Sequence, residues 1–300
     1  MSKAILITGA TGKQGGSLVN ALLKANADFE ILALTRNIQS PSAQKLRQKS
    51  PKIKLVAGNL DAVDEVFQKA NEASKLPIWG VFSVQGVNAE SEKRQGKALI
   101  DESIKNGVSR FVYSSADRGG SKSDTDPTSV PHFMSKFEIE QYLFKKAKDS
   151  GLNWTVLRPV AFFENLTPDF FGKVFATSFE MSLKKEQTLQ MIATSDIGFF
   201  AAEAFLKPEE YQNKSITLAG DELTYDQFKT VFEKETGQTL PTTYKFIVSI
   251  IHWMVKDLGI MFKWFHDVGF RAEIPSLRKV NPEMKDFASW LKKESQFKTR

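Results

Sequence analysis

Three groups of residues have types and spacings suited to chemistry. The first is Gly9-Ala10-Thr11-Gly12-Lys13-Gln14-Gly15-Gly16. Glycines at a turn let backbone N–H groups approach an anion, and a helix starting there adds the positive end of its dipole. Gly9 suits a tight turn, Gly12 the close approach of a pyrophosphate, and Gly15 or Gly16 close packing of helix against strand. The second group is Arg36, with Lys13 as a further cation beside it. An Arg ending the second strand can receive the 2′-phosphate of NADP, where an acid would bond the 2′-hydroxyl of NAD. Glu30 is the nearby acid, but it lies at the wrong end of that strand. A solvated ion pair is the alternative reading of Arg36. The third group is His132 and Lys136, an imidazole and an ammonium that a helix would carry one turn apart on one face.

The elements that must position these groups are legible as periodicities. Ala4 to Ile7 is a short apolar run stopped by Gly9, as suits a strand buried on both faces. Leu18, Ala21, Leu22 and Ala25 then recur at helical spacing. Further strands are expected at Phe29–Leu34, Ile53–Ala57, Ile78–Val84, Arg110–Ser115 and Asn153–Leu157. Helices alternate with them, one ending near Asn106 with Gly107 as its C-cap and another beginning at Val130-Pro131. That alternation indicates an α/β fold with a doubly wound parallel sheet. Ligands bind beyond the carboxyl ends of such strands, which puts Asn59 and the backbone at Leu60 beside an adenine, and Val84 and Gln85 over the cofactor. Asn59 alternatively closes a turn, with Asp61 as a helix N-cap. The polar loop Ala116 to Pro131 is long for a compact domain, and functional loops concentrate in such segments.

The 300 residues, 41% of them hydrophobic, are enough for a large core, and the absence of Cys excludes disulfides, a catalytic thiol and Cys-ligated metals. His132, His252 and His266 are too far apart to suggest a metal site. The net charge of +6 is spread among acids, so no direct nucleic-acid partner is expected. Phe246 to Val255 is too short to cross a bilayer. The first strand begins within four residues of the start and no signal pattern precedes it, so a cytoplasmic location is expected, with a nuclear one as the second choice. Farther along, Phe170, Phe171, Phe175 and Phe179 either line an apolar pocket or form the core face of a helix. Ala193–Phe205 reads as a helix returning to the first domain, Ser215–Gly220 as a strand, and Thr224 with Gln227 as a capping box. From Ile247 to Phe265 the apolar residues keep to one helical face. Intramolecular packing is expected there, with a lid, a protein partner or a membrane surface as alternatives.

The glycine segment, Leu34-Thr35-Arg36-Asn37, Pro131-His132-Phe133 with Lys136, and Arg158-Pro159 with Phe163-Glu164-Asn165 together resemble the NmrA-like family of atypical short-chain dehydrogenases. The resemblance runs to Trp264-Phe265 and Trp290-Leu291. It implies a Rossmann domain, residues 1–157, that binds NADP(H), and a smaller mixed α/β C-terminal lobe, residues 158–300, partly interleaved with it. By the same resemblance Gly9, Thr11, Gly12, Lys13, Gln14 and Gly15 touch the pyrophosphate and Arg36 the 2′-phosphate, Lys136 lies near the nicotinamide ribose, and the backbone at Pro159 and Val160 lines the nicotinamide.

The chain departs from the wider superfamily at one informative place. A standard short-chain dehydrogenase carries Tyr-x-x-x-Lys on this helix, and here His132 occupies the Tyr position. Ser114 or Ser115 remains to polarise a carbonyl, and His132 or Lys136 to deliver a proton. His132 alternatively packs against or caps the helix. The family holds both dinucleotide-binding regulators and reductases of quinones and plant phenolics. The missing Tyr favours a redox sensor acting through a protein partner. The alternative is an NADPH-dependent oxidoreductase of an apolar quinone, enone or carbonyl, since hydride transfer to a quinone does not demand that Tyr.

Overall fold

The computed structural model describes residues 3–86 and 88–299. Its strands are β1 (Lys3–Ile7), β2 (Phe29–Thr35), β3 (Ile53–Ala57), β4 (Ile78–Ser83), β5 (Arg110–Ser114), β6 (Asn153–Pro159), β7 (Ala161–Phe162), β8 (Thr188–Ile192), β9 (Lys214–Leu218) and β10 (Asp221–Thr224). The helices are α1 (Lys13–Lys24), α2 (Pro41–Arg47), α3 (Val63–Ala73), α4 (Ala89–Lys105), α5 (Pro131–Ser150), α6 (Phe170–Ser182), α7 (Thr194–Leu206), α8 (Pro208–Tyr211), α9 (Tyr225–Thr236), α10 (Lys245–Met254), α11 (Lys256–Asp267), α12 (Ile274–Val280) and α13 (Phe287–Lys293).

The large sheet has the order β3-β2-β1-β4-β5-β6-β9, and every neighbouring pair from β3 to β6 is parallel. The expected doubly wound sheet is therefore present. Ala4, Ile5, Leu6 and Ile7 of its central strand are fully buried, as the unbroken apolar run required. The smaller sheet, β10-β8-β7, is mixed, with β10 antiparallel and β7 parallel to β8.

Two compact units alternate along the chain. The first holds the described residues up to Ser115, Ser135–Arg158 and Ile197–Ile216; the second holds Ala116–Met134, Pro159–Asp196 and the described residues from Thr217 onward. In the first, Leu6, Leu32, Phe67, Val81, Phe111 and Ile139 share one core cluster. Here α7 lies against α1 so closely that a Cβ at Gly198 would fall 2.4 Å from the Ser17 carbonyl carbon.

In the second unit Thr224 and Gln227 form the expected capping box at the start of α9. The Phe stripe on α6 divides: Phe175 and Phe179 are buried, while Phe170 and Phe171 are exposed. The stretch expected to form one buried helical face is broken at Val255, whose backbone (φ −101, ψ 77) is not helical, into α10 and α11. Gly259 permits the close return, since a Cβ there would lie 2.7 Å from the His252 carbonyl oxygen. Phe262 and Phe265 are buried on α11, but Phe246, Ile250, Trp253 and Met254 on α10 are exposed. The expected intramolecular packing of that face is thus fully realised only in its second half: on α10, Ile247 and Ile251 are half-buried while Ile250 and Met254 are exposed. No helix among the described residues is long and apolar enough to cross a membrane.

Candidate functional site

Parallel pairing from β3 to β5 brings the strand ends to one edge in the order Asn59, Arg36, Gly9, Val84 and Ser114. At the centre Gly9 turns the chain with φ +59, a conformation that favours glycine. Gly12 N–H then donates to Gly9 O at 2.8 Å. A Cβ at Gly15 would lie 2.4 Å from Gly9 O, against 3.3 Å to Ala10 O for one at Gly16, so Gly15 is the residue that lets α1 approach the turn. Gly12 caps α1 in extended conformation with no side chain to bond, and no acid lies in the first turn, so the positive helix end is not neutralised locally. Thr8 Oγ1 donates to Val84 O and accepts from Val84 N–H, both at 2.8 Å, which ties the end of β4 to the glycine turn. Gln85 donates to Ser83 Oγ at 2.8 Å.

On the far side of the edge, Arg36 is exposed, and no residue among those described pairs with it. The ion-pair reading of Arg36 therefore has no partner to support it. Asn59 makes a local turn, donating to Asp61 at 3.1 Å and accepting from its backbone N–H at 3.3 Å. Asp61 is not the N-cap that the sequence offered: Ala62 begins α3 without a side-chain bond. The Asp61 carboxylate turns instead to Arg94 (2.7 Å) and Gln95 (2.8 Å) on α4, which hold its pKa below the ordinary carboxylate value. Leu60 packs partly buried against the core of the first unit.

At the end of β5, Ser114 Oγ donates to Gln14 Oε1 at 2.5 Å, linking the glycine segment to that strand. Ser115 Oγ donates to the fully buried Glu140, which also takes a forked pair of bonds from Arg158 (Nε–Oε1 3.2 Å, Nη2–Oε2 2.7 Å). Lys136 is held by Glu92 through a bond of 2.6 Å between Nζ and Oε1.

The other residues singled out in the sequence belong to the second unit. His132 Nδ1 lies 2.8 Å from Asp257 Oδ1, and its ring meets Phe133 edge-on at 4.5 Å. An ionised Asp257 would accept from Nδ1–H and so orient the ring, in the neutral and in the protonated imidazole alike. The backbone at Pro159 and Val160 is already engaged: Pro159 O accepts from Asp117 N–H, and Val160 N–H donates to Leu218 O. The loop from Ala116 contains the 3₁₀ turn Gly120–Asp124 and is tied down rather than open. Buried Asp117 accepts from the N–H groups of Gly119, Gly120 and Arg271, and buried Arg118 donates to Ala116 O and Ser123 O.

Glu164 gives this unit a pH dependence. Its Oε1 accepts from the Thr194 N–H at 2.9 Å, the Thr194 hydroxyl at 2.8 Å and Trp290 Nε1–H at 3.3 Å. Burial nevertheless pushes its pKa above the ordinary 4.5, with Glu294 adding a smaller push and the Thr194 bonds opposing. The protonated form is favoured in the fold, so the stability this group contributes is full below its unfolded pKa and is lost as pH rises through the raised folded value. Glu164→Gln keeps the accepting oxygen and removes the charge. It is expected to unfold at higher denaturant at pH 8 than the parent chain, and to show a flatter stability profile from pH 5 to 8.

Glu92 and Asp257 were not legible as site residues. Each is a charged residue near the start of a helix, which in sequence is indistinguishable from one that answers the helix dipole.

The model of the NmrA-like family matches residues 1–296, and the chain belongs to that family. An NmrA-like family domain-containing oxidoreductase of Aspergillus flavus is 32% identical over 311 residues, covering 93% of this chain and 88% of that protein. Among solved structures, an NADPH-dependent quinone oxidoreductase from Escherichia coli, complexed with NADPH, superposes with a TM-score of 0.73 at 19% identity, covering 96% of this chain and 98% of that one. NmrA itself, a negative transcriptional regulator in complex with NAD, superposes with a TM-score of 0.72 at 17% identity, covering 98% and 96%.

Proposed function

We propose that this chain binds NADP(H) along the carboxyl edge of its parallel sheet and acts as an NADPH-dependent reductase of an apolar quinone, enone or carbonyl acceptor. The observation that carries the cofactor reading is a pair of unspent positive features on one edge: the start of α1 behind Gly9 and Gly12, which has no side-chain cap, and Arg36, which has no partner among the described residues. The residues fit a dinucleotide phosphate without rearrangement of an ion pair. The bound cofactor supplies a hydride, and the chain has to hold it and provide a proton. Lys136 is the group for the nicotinamide ribose, and His132, with Nδ1–H held by Asp257, is the candidate proton donor in place of the absent Tyr, delivering the proton from Nε2 as the imidazolium. The names of the Aspergillus flavus and Escherichia coli proteins support reduction as the activity.

A second reading, a cofactor-responsive regulator, is favoured by the exposed apolar face of α10, where Phe246, Ile250, Trp253 and Met254 offer a surface for a protein partner. NADPH oxidation measured against a panel of quinones, enones and carbonyls separates the two. Acceptor-dependent oxidation that drops about 100-fold in His132→Gln, the scale of a lost general acid, is expected. No oxidation with any acceptor, while NADPH still binds, contradicts the reductase and leaves the regulator.

A further inference from the structure

We infer that Glu92 is the residue that aims Lys136, and that this buried carboxylate, through Lys136, sets how tightly the reduced cofactor is held. The inference rests on the reading that Lys136 meets the nicotinamide ribose. Glu92 stands in the first turn of α4, where the helix dipole favours a carboxylate, and its side chain is only 2% exposed. Oε1 accepts from Lys136 Nζ at 2.6 Å and Oε2 from Ser135 Oγ at 3.2 Å, so both oxygens are occupied by consecutive residues of α5.

An ammonium on a flexible four-carbon stem does not hold one position unless something fixes it. Here the Lys136 side chain is 16% exposed, its Nζ lies 5.9 Å from the centre of the Tyr113 ring, and the Ser114 carbonyl is 3.5 Å away. An ammonium carries three N–H donors. One goes to Glu92 and one points to Ser114 O, and the third has no partner among the described residues. Taking both charges out of water is costly, and an apolar pair would pack the same helices without that cost. What the ion pair adds is a fixed place for one N–H donor beside the end of β5, on the edge where the cofactor is proposed to lie. Glu92 is thus a positioning residue acting through Lys136.

The test is a double-mutant cycle in the full chain, with NADPH affinity measured by calorimetry and stability by denaturant unfolding. Lys136→Met and Glu92→Gln are each expected to weaken NADPH about tenfold, the size of one charge-assisted hydrogen bond. Glu92→Gln in the Lys136→Met background is expected to weaken it no further, because the carboxylate then has nothing to aim. A purely structural role would instead add the same loss in both backgrounds, and that result overturns the inference. So does an unchanged affinity in Glu92→Gln when Lys136→Met is impaired. If Lys136→Met itself binds NADPH normally, the reading of Lys136 fails and the inference falls with it. Should Glu92→Gln not fold, Glu92→Asp, which keeps the charge but shortens its reach, takes its place under the same criteria.

Discussion

Gly15→Ala is expected to abolish dinucleotide binding and to lower the stability of the first unit by about 3 kcal/mol or more, at the upper end for an overpacked site. The added Cβ would lie 2.4 Å from Gly9 O, 2.6 Å from Gly9 C and 2.7 Å from Thr8 O. All three are backbone atoms, so no side chain can rotate away. Relief requires α1 to retreat from the end of β1, or the turn at Gly9 to reopen. That turn is braced by the Gly12 N–H bond to Gly9 O and by the two bonds between Thr8 and Val84, and a Cβ at Gly9 itself would lie 2.8 Å from a Val84 methyl. Any shift therefore moves the N–H groups proposed to meet the pyrophosphate. Gly16→Ala provides the comparison, since its Cβ would lie 3.3 Å from Ala10 O and needs only a few tenths of an ångström. Denaturant unfolding and NADPH titration of the two variants should differ sharply. Equal behaviour would mean that close helix–strand packing at Gly15 is not what shapes the turn.

The glycine segment was legible because strand, turn and helix start were written within one short stretch, each by its own signal. The capping box of α9 was legible for the same reason: Thr224 and Gln227 need only each other and the backbone between them. What stayed hidden depends on partners distant in sequence. Glu92 becomes a candidate site residue only through Lys136, 44 positions away, and Asp257 only through His132, 125 positions away. Asp61 had the right type and place for an N-cap, but Arg94 and Gln95 compete for its oxygens and win. The break between α10 and α11 was invisible to helical periodicity, because the apolar spacing continues in phase across Val255 while the backbone does not. The strands β7, β8 and β10 are too short and irregular in pattern to announce themselves before the small sheet assembles.

Arg36→Ala is expected to weaken NADPH binding about 10- to 100-fold, the range for losing hydrogen bonds to a charged group, while leaving NADH binding nearly unchanged. The discrimination follows from what stands at the end of β2. Thr35 O is taken by Gly58 N–H, and Arg36 leaves the sheet exposed and without an ion-pair partner among the described residues. Glu30, the acid within that strand, lies at its other end, 2.8 Å from Lys54. Glu30 is therefore not available to accept from a 2′-hydroxyl, whereas the guanidinium of Arg36 is the group proposed to fork onto a 2′-phosphate. The effect should shrink as salt rises, because the contact is solvent-exposed.

Calorimetric titration of the parent chain and Arg36→Ala with NADPH and NADH tests the central claim most directly. The expected result is preferential NADPH binding by the parent chain and loss of that preference in the variant. Equal affinity of the parent chain for NADPH and NADH, or binding of neither, would contradict it.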